Sequence, residues 1–480
     1  MKTSPFLGNA MSRTLSWDSF QDWRQRSRLS SKTMSAIAMG AILGLSLFSI
    51  DGFLEGNMYL CLGAMFLAFI PYLIWSSYRR AGSLDILAPD LGFPLAYILY
   101  LTCGSIALPI QTQFGLVLPW IVWFYYIVGL VAYLVGVRLL RAPGPEALAH
   151  GARKHFWNAR QFLAVTFGLL AIGAAARAVT VRSSGFEILR ASDESARVAG
   201  SKGIWAVLAL CLAPAFECML IFMLVKKPKG PLRILLLACM TLIGLNAIAT
   251  NNRTPLLSIA LAAVVILHYA GKRFSFASLV VFGILATAFA SALGTFRDVS
   301  EWGDQRIQEL DKKGFSQQTY WLMNGYEAVR LPTEVFDMVI QHFPELEHYT
   351  YGQTSLAEFG TFLPGPTLEP GRVIKTKLRL EFVGFGAAAT VLGPLWVDGG
   401  VIGIFVGMFL IGLGSKALHR KMLLSQNYVW VLIYAWFMQN AFKAIKDDII
   451  PDLSLLFVLA IFPCVDLVAS TSFDGWRRPS

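Results

Sequence analysis

Long apolar runs separated by short polar links fill most of the chain, at about 33–50, 58–77, 92–110, 116–137, 162–180, 204–225, 232–250, 255–270 and 276–296. Such runs approach the roughly 20 residues that carry a helix across a hydrocarbon core about 30 Å thick. One long polar interval, Arg297 to Glu381, follows. Beyond it, 386–415 is too long for one straight crossing and is interrupted at Gly393-Pro394 and Asp398-Gly399-Gly400, which predicts a broken or re-entrant helix plus one span. Apolar runs at 428–446 and 453–470 complete the pattern. The expectation is an all-α fold: a polytopic membrane helix bundle of about 12 transmembrane helices with one large structured extracytoplasmic loop.

The polar links alternate in charge. Arg79-Arg80, the 138–161 segment, Lys226-Lys227-Pro228-Lys229 and Lys272-Arg273 fall on every second link, as cytoplasmic loops do under the positive-inside rule. The link 181–203, with Arg182, Arg190, Arg197 and Lys202, is an exception, and Lys443 and Lys446 also fall at an outer end. This assigns 1–32 to a basic amphipathic cytoplasmic N-terminus on anionic lipid, 33–296 to about nine spans, and 297–385 to the outer loop. Residues 386–470 hold the broken segment with about three spans, and 471–480 form a cytoplasmic tail. Both termini are expected in the cytoplasm, and the run after residue 32 reads as a retained helix, since further spans follow it.

Composition agrees with a membrane protein: 55% hydrophobic residues, 15% charged and a mean hydropathy of +0.56. The outer loop carries nine Lys and Arg against thirteen Asp and Glu, so it is acidic in a chain of net charge +11. The excess cations sit mostly in short links, where they set topology, and nucleic acid is not an expected partner. All six cysteines lie in apolar runs, which excludes a disulfide framework in the loop. Within the loop, Phe336, Val339 and Phe343 share one face of a helix expected over Thr333–Phe343, entered through Pro332 and lying on the membrane surface.

Candidate chemistry begins with arginines where the charge rule disfavours them: Arg177, Arg182, Arg253 and Arg297, all at outer ends of apolar runs. Guanidinium forks facing one vestibule suit phosphate oxygens, although an isolated arginine there can simply snorkel to headgroups. Arg253, pinned in the short link Thr250-Asn251-Asn252-Arg253-Thr254, is the strongest single choice. Arg330 and Arg379 are further candidate cations, with Arg330 three residues from Glu327 and able to pair with it. His348, among Glu345, Glu347 and Tyr349, is a candidate general base, and Glu381 and Glu347 are its rivals. Tyr351 is one of several loop aromatics available for stacking or packing. No Walker loop, GxGxxG, nucleophile elbow or metal-ligand spacing is present, so neither cofactor nor metal is expected.

With these residues the chain resembles the Wzy-type oligosaccharide repeat-unit polymerases, relatives of the O-antigen ligases. The resemblance is carried by Asn252-Arg253-Thr254-Pro255-Leu256-Leu257, by Tyr349-Thr350-Tyr351-Gly352-Gln353-Thr354 followed by Phe362-Leu363-Pro364, and by the small residues of Gly386–Gly403. This chain has Asp398 before Gly399 where such proteins often show a glycine-rich re-entry. The resemblance implies a metal-independent glycosyltransferase of the bacterial inner membrane. Its donor would be a glycan on polyprenyl pyrophosphate and its acceptor a hydroxyl of another lipid-linked unit, with membrane lipid, a chain-length regulator and a flippase as partners. Arginines would stabilise the departing pyrophosphate and a His or Glu would take the acceptor proton. A ligase, a lipid-linked oligosaccharide flippase and a non-catalytic scaffold are the alternatives.

Overall fold

A computed structural model describes residues 31–54, 57–81, 84–105, 119–140, 158–184, 208–249, 253–271, 274–275, 277–286, 288–289, 291–292, 320–356, 370–380, 388–425, 427–446 and 453–470. Among them there is helix and no strand. The labelled helices are α1 (Ser31–Leu54), α2 (Met58–Ala81), α3 (Gly92–Ser105), α4 (Trp120–Leu139), α5 (Ala159–Ser184), α6 (Leu212–Lys226), α7 (Pro231–Ala249), α8 (Arg253–Ala270), α9 (Tyr320–His342), α10 (Pro370–Lys377), α11 (Leu392–Ser425), α12 (Tyr428–Lys446) and α13 (Leu453–Ser470).

The expected dozen crossings are corrected to four. Among the described residues, only Leu60–Arg79, Trp120–Leu139, Ala159–Val179 and Leu392–Ser425 are long and apolar enough to cross a membrane. Several runs read as spans form shorter helices. The α3 helix has 14 residues and α6 has 15, about 21–23 Å at 1.5 Å per residue. The apolar stretches of α7, α8 and α13 are also short, at Pro231–Ala247, Leu256–Ala270 and Val458–Ala469. Hydropathy overcounted because apolar composition serves burial against protein neighbours as well as against lipid. In α12, 14 of 19 residues are buried, Gln439 and Asn440 among them.

The chain divides into two compact units, Met1–Leu95 and Ala96–Ser480. The first contains the antiparallel α1–α2 hairpin, tied near one end by Trp75 Nε1 donating to Ser35 Oγ (3.1 Å) and near the other by Ser49 Oγ donating to the Cys61 carbonyl (2.9 Å). In the second, α4 and α11 run parallel, since their contacts advance together from Tyr125–Trp396 to Gly136–Phe409. They cross backbone to backbone. A Cβ on Gly136 would lie 2.2 Å from the Phe409 carbonyl oxygen, and one on Gly412 would lie 2.2 Å from that of Tyr133.

The amphipathic helix in the polar interval is longer than its sequence pattern predicts. It begins at Tyr320 and continues through Pro332. A proline there withdraws the donor for the Ala328 carbonyl. Tyr100 Oη of α3 supplies another, at 3.0 Å. The expected apolar face, Phe336, Val339 and Phe343, is fully buried, but on protein: Phe336 stacks on Tyr126 of α4 with ring centroids 6.0 Å apart. In return α9 caps α3. The Gly104 carbonyl, in the last turn of α3, accepts from Arg330 Nη1 (3.1 Å) and Thr333 Oγ1 (3.0 Å).

Candidate functional site

The α11 helix breaks at Gly399 and Gly400, and the break is where the polar interval docks. Gly400 has φ +59°, and a Cβ there would meet Tyr349 Oη at 2.6 Å, so this position needs glycine on both counts. Interrupting a helix leaves carbonyls without their i+4 donors. Here Thr350 N–H donates to the Val397 carbonyl (2.9 Å) and Tyr351 N–H to that of Asp398 (3.0 Å). The Asp398 side chain, itself buried, completes the anchor. Its Oδ1 accepts from Thr350 Oγ1 (2.5 Å) and Thr354 N–H (2.9 Å), and its Oδ2 from Ser355 N–H (2.8 Å) and Ser355 Oγ. Two motifs 44 residues apart in sequence thus form one hydrogen-bonded knot.

Two exposed side chains are presented by backbone that disfavours them. Thr350 to Gln353 makes a tight turn closed by Gln353 N–H donating to the Thr350 carbonyl (3.1 Å), with φ +50° at Tyr351 and +93° at Gly352. Positive φ at both central positions is the type I′ pattern, which favours Asn-Gly, yet tyrosine stands first and is 84% exposed. The α10 helix ends in a Schellman motif, with Leu380 N–H donating to the Lys375 carbonyl (3.1 Å) and Arg379 N–H to that of Thr376 (3.2 Å). The left-handed position of that motif ordinarily holds glycine. Here it holds Arg379, exposed, at φ +52°.

Charge gathers between these two turns. Lys377 Nζ pairs with Glu347 Oε2 (2.5 Å), and Glu347 is held below the usual carboxylate range by that hydrogen bond first, then by the charges of Lys377, His342 and Arg379. Glu347 is therefore ionised and engaged. Beneath it, Trp396 Nε1 donates to the Phe343 carbonyl (3.3 Å) and the Trp396 ring lies 4.5 Å from that of Tyr125. Burial raises the Tyr349 phenol above its ordinary pKa. A cationic rim beside aromatic side chains is suited to an anionic group attached to sugar.

The family model described as "Putative O-antigen polymerase" matches residues 89–446, three quarters of the chain. The chain belongs to that O-antigen polymerase family. It is a membrane-embedded protein of polysaccharide biosynthesis. No curated protein and no solved structure matches it. The matched region of this family member runs from just before α3 to the end of α12 and includes the whole Asp398 knot.

The other residues singled out in the sequence sit on several elements. Arg177 is half-buried in α5, with Nε 3.4 Å from Asn246 Oδ1 of α7, and Arg182 is exposed in the last turn of α5. Arg253 is the first residue of α8. Arg297 and Glu381 lie outside the described residues, as does Phe362-Leu363-Pro364. Arg330 is 2% exposed, and its guanidinium binds Glu334 Oε1 (2.9 Å) and the Gly104 carbonyl, so it pairs with Glu334 and serves the α3–α9 junction. His348 is exposed, beside the knot.

Sequence reasoning passed over Lys377, which pairs with Glu347, and buried Asp337. Lys377 carried no signal beyond its basic neighbours. Asp337 sits on an amphipathic helix, where an acid reads as solvated, yet it is 1% exposed. Burial raises its carboxyl to about 6, against the lowering effects of Gln341 and Arg330. The signal lay in the stripe Arg330, Glu334, Asp337 and Gln341, a second face at helical spacing.

Proposed function

We propose that this protein polymerises polyprenyl-pyrophosphate-linked oligosaccharide repeat units on the outer face of a bacterial inner membrane, with the 297–385 loop outside and both termini in the cytoplasm. The observation that carries this reading is that, of the four described non-glycine residues in left-handed backbone, Tyr351 and Arg379 are exposed side chains on the two segments that the Glu347–Lys377 pair joins. Each such backbone costs about 1–2 kcal/mol that Asn or Gly would largely remove, and strain of this kind persists where the side chain has a task. In this reading Tyr351 stacks on a sugar and Arg379, with Lys377, Arg253, Arg177, Arg182 and Arg297, forms a cationic path for the pyrophosphate. Arg330 belongs to the frame, and exposed His348 stands outside the path. A flippase delivers the units and a chain-length regulator sets their number.

The test uses substitutions that improve the backbone while removing the side chain. Tyr351→Asn and Arg379→Gly are expected to leave thermal stability unchanged or raised by about 1 kcal/mol, while chain extension falls at least tenfold. Full-length polymer in both variants would refute the reading. Loss of long glycan with one-unit material retained in a deletion strain distinguishes polymerisation from ligation or flipping, which would abolish both.

At the start of α8, Arg253→Ala is expected to stop chain extension and Arg253→Lys to restore it only in part, because a point charge lacks the bidentate fork. Polymer length at matched protein level is the measurement. Wild-type length in the alanine variant would remove Arg253 from the path.

A further inference from the structure

The inner face of α9 carries a polar stripe that the rim of the site does not use. Arg330 pairs with Glu334 through Oε1 there, and Thr333 bonds to α3. One turn on, Asp337 Oδ2 accepts from Gln341 Nε2 (2.9 Å), and its Oδ1 is buried with no hydrogen-bond partner. Burying a carboxylate oxygen without satisfying it is unfavourable. Phe336, the preceding residue, stacks on Tyr126, and the Phe343 carbonyl, less than two turns on, accepts from Trp396 of α11. The seam that α9 forms with α3 and α4 therefore holds an acceptor unused by the fold.

We infer that Asp337 is a catalytic carboxylate of the polymerase, with Oδ1 taking the proton of the acceptor hydroxyl as that hydroxyl enters the seam. This rests on the proposed polymerisation. The acceptor oxygen forms a bond to the anomeric carbon of the donor, and the bond from that carbon to the pyrophosphate oxygen breaks with its electron pair leaving on the pyrophosphate. The proton passes to Asp337 and then to water. The two rival bases in the described residues are poorly placed for this. Glu347 is held ionised by Lys377, and His348 stands exposed to solvent. A buried carboxyl that titrates near 6 is ionised at neutral pH yet remains basic enough to assist. The charged groups facing it on α9 are Arg330 and Glu334. At the crossings with α3 and α4 the titratable side chains are Tyr97, Tyr100, Tyr125 and Tyr126, and on α11 it is Asp398, engaged by the knot.

The experiment measures turnover of purified wild type, Asp337→Asn and His348→Ala on lipid-linked repeat units between pH 5 and 8, with thermal melting at each pH. In wild type the rate should rise as the carboxyl ionises, with an acid limb near 6. The asparagine variant should lose about 10²–10⁴-fold and show no limb. Its melting temperature should equal or exceed that of wild type at pH 8, because the buried charge is gone, whereas His348→Ala should keep most of the rate. Turnover of Asp337→Asn within a few-fold of wild type, or a limb that survives the substitution, overturns the inference while leaving the polymerase reading intact. If the variant does not fold, a wild-type profile without a limb near 6 overturns it equally. Wild type that extends no chain at any pH refutes the polymerase reading itself.

Discussion

Asp398→Ala is expected to release the Thr350–Ser355 turn and abolish chain extension. The carboxylate accepts from two hydroxyls and two backbone N–H groups, and alanine leaves the N–H groups of Thr354 and Ser355 without their acceptor. Hydrogen bonds to a charged group contribute about 1.5–3 kcal/mol each and are not additive, so a loss of about 3–5 kcal/mol is expected for the knot. The two bonds to the Val397 and Asp398 carbonyls cannot hold the turn by themselves at that cost. Limited proteolysis should then cut between Tyr349 and Leu356, where wild type resists. Asp398→Asn should be intermediate, since its NH2 group faces a donor. A protease-resistant alanine variant with normal polymer would show that the turn is held by other means.

Gly412→Val should prevent the α4–α11 pair from forming. The new Cβ would lie 2.2 Å from the Tyr133 carbonyl oxygen and 3.0 Å from its carbon, both backbone atoms within a helix, so neither can turn aside. The helices must separate by more than an ångström, which also opens the mirror contact of Gly136 on Phe409. Overpacking ordinarily costs about 1–3 kcal/mol, and a collision with rigid backbone belongs at or above the top of that range. Folded yield in detergent is the measurement. Gly244→Val is the control, because nothing lies within 4 Å of the position a Cβ would occupy on Gly244. Equal yields for the two variants would contradict the crossing.

How the site is assembled explains why the sequence disclosed only part of it. The stretches Tyr349–Thr354 and Asp398–Gly400 stood out because Gly, Thr and Tyr clusters and a Gly-Gly interruption are unusual in an apolar chain. Nothing in either stretch says that they meet. Asp398 was legible as an oddity, and its role came from hydroxyl and N–H donors 43–48 residues away. Similarly, Tyr351 was selected as an aromatic and Arg379 as a cation. That both occupy left-handed backbone depends on the turn around them.

The sequence by itself determined that the chain is helical and membrane-embedded, because runs of apolar residues of that length have no other stable form in contact with lipid. It also determined the family, which matches over residues 89–446, and the apolar face of α9. Only the tertiary structure decided how many helices are long enough to cross, since hydropathy is the same whether a side chain meets lipid or another helix. It decided that Arg330 turns inward to cap α3 and that Asp337 is buried, since burial of a second helix face depends on what packs there. It alone joined the turn at Tyr351 to the break in α11, because a hydrogen bond between distant segments is set by where the bundle places their backbones and not by either segment's composition.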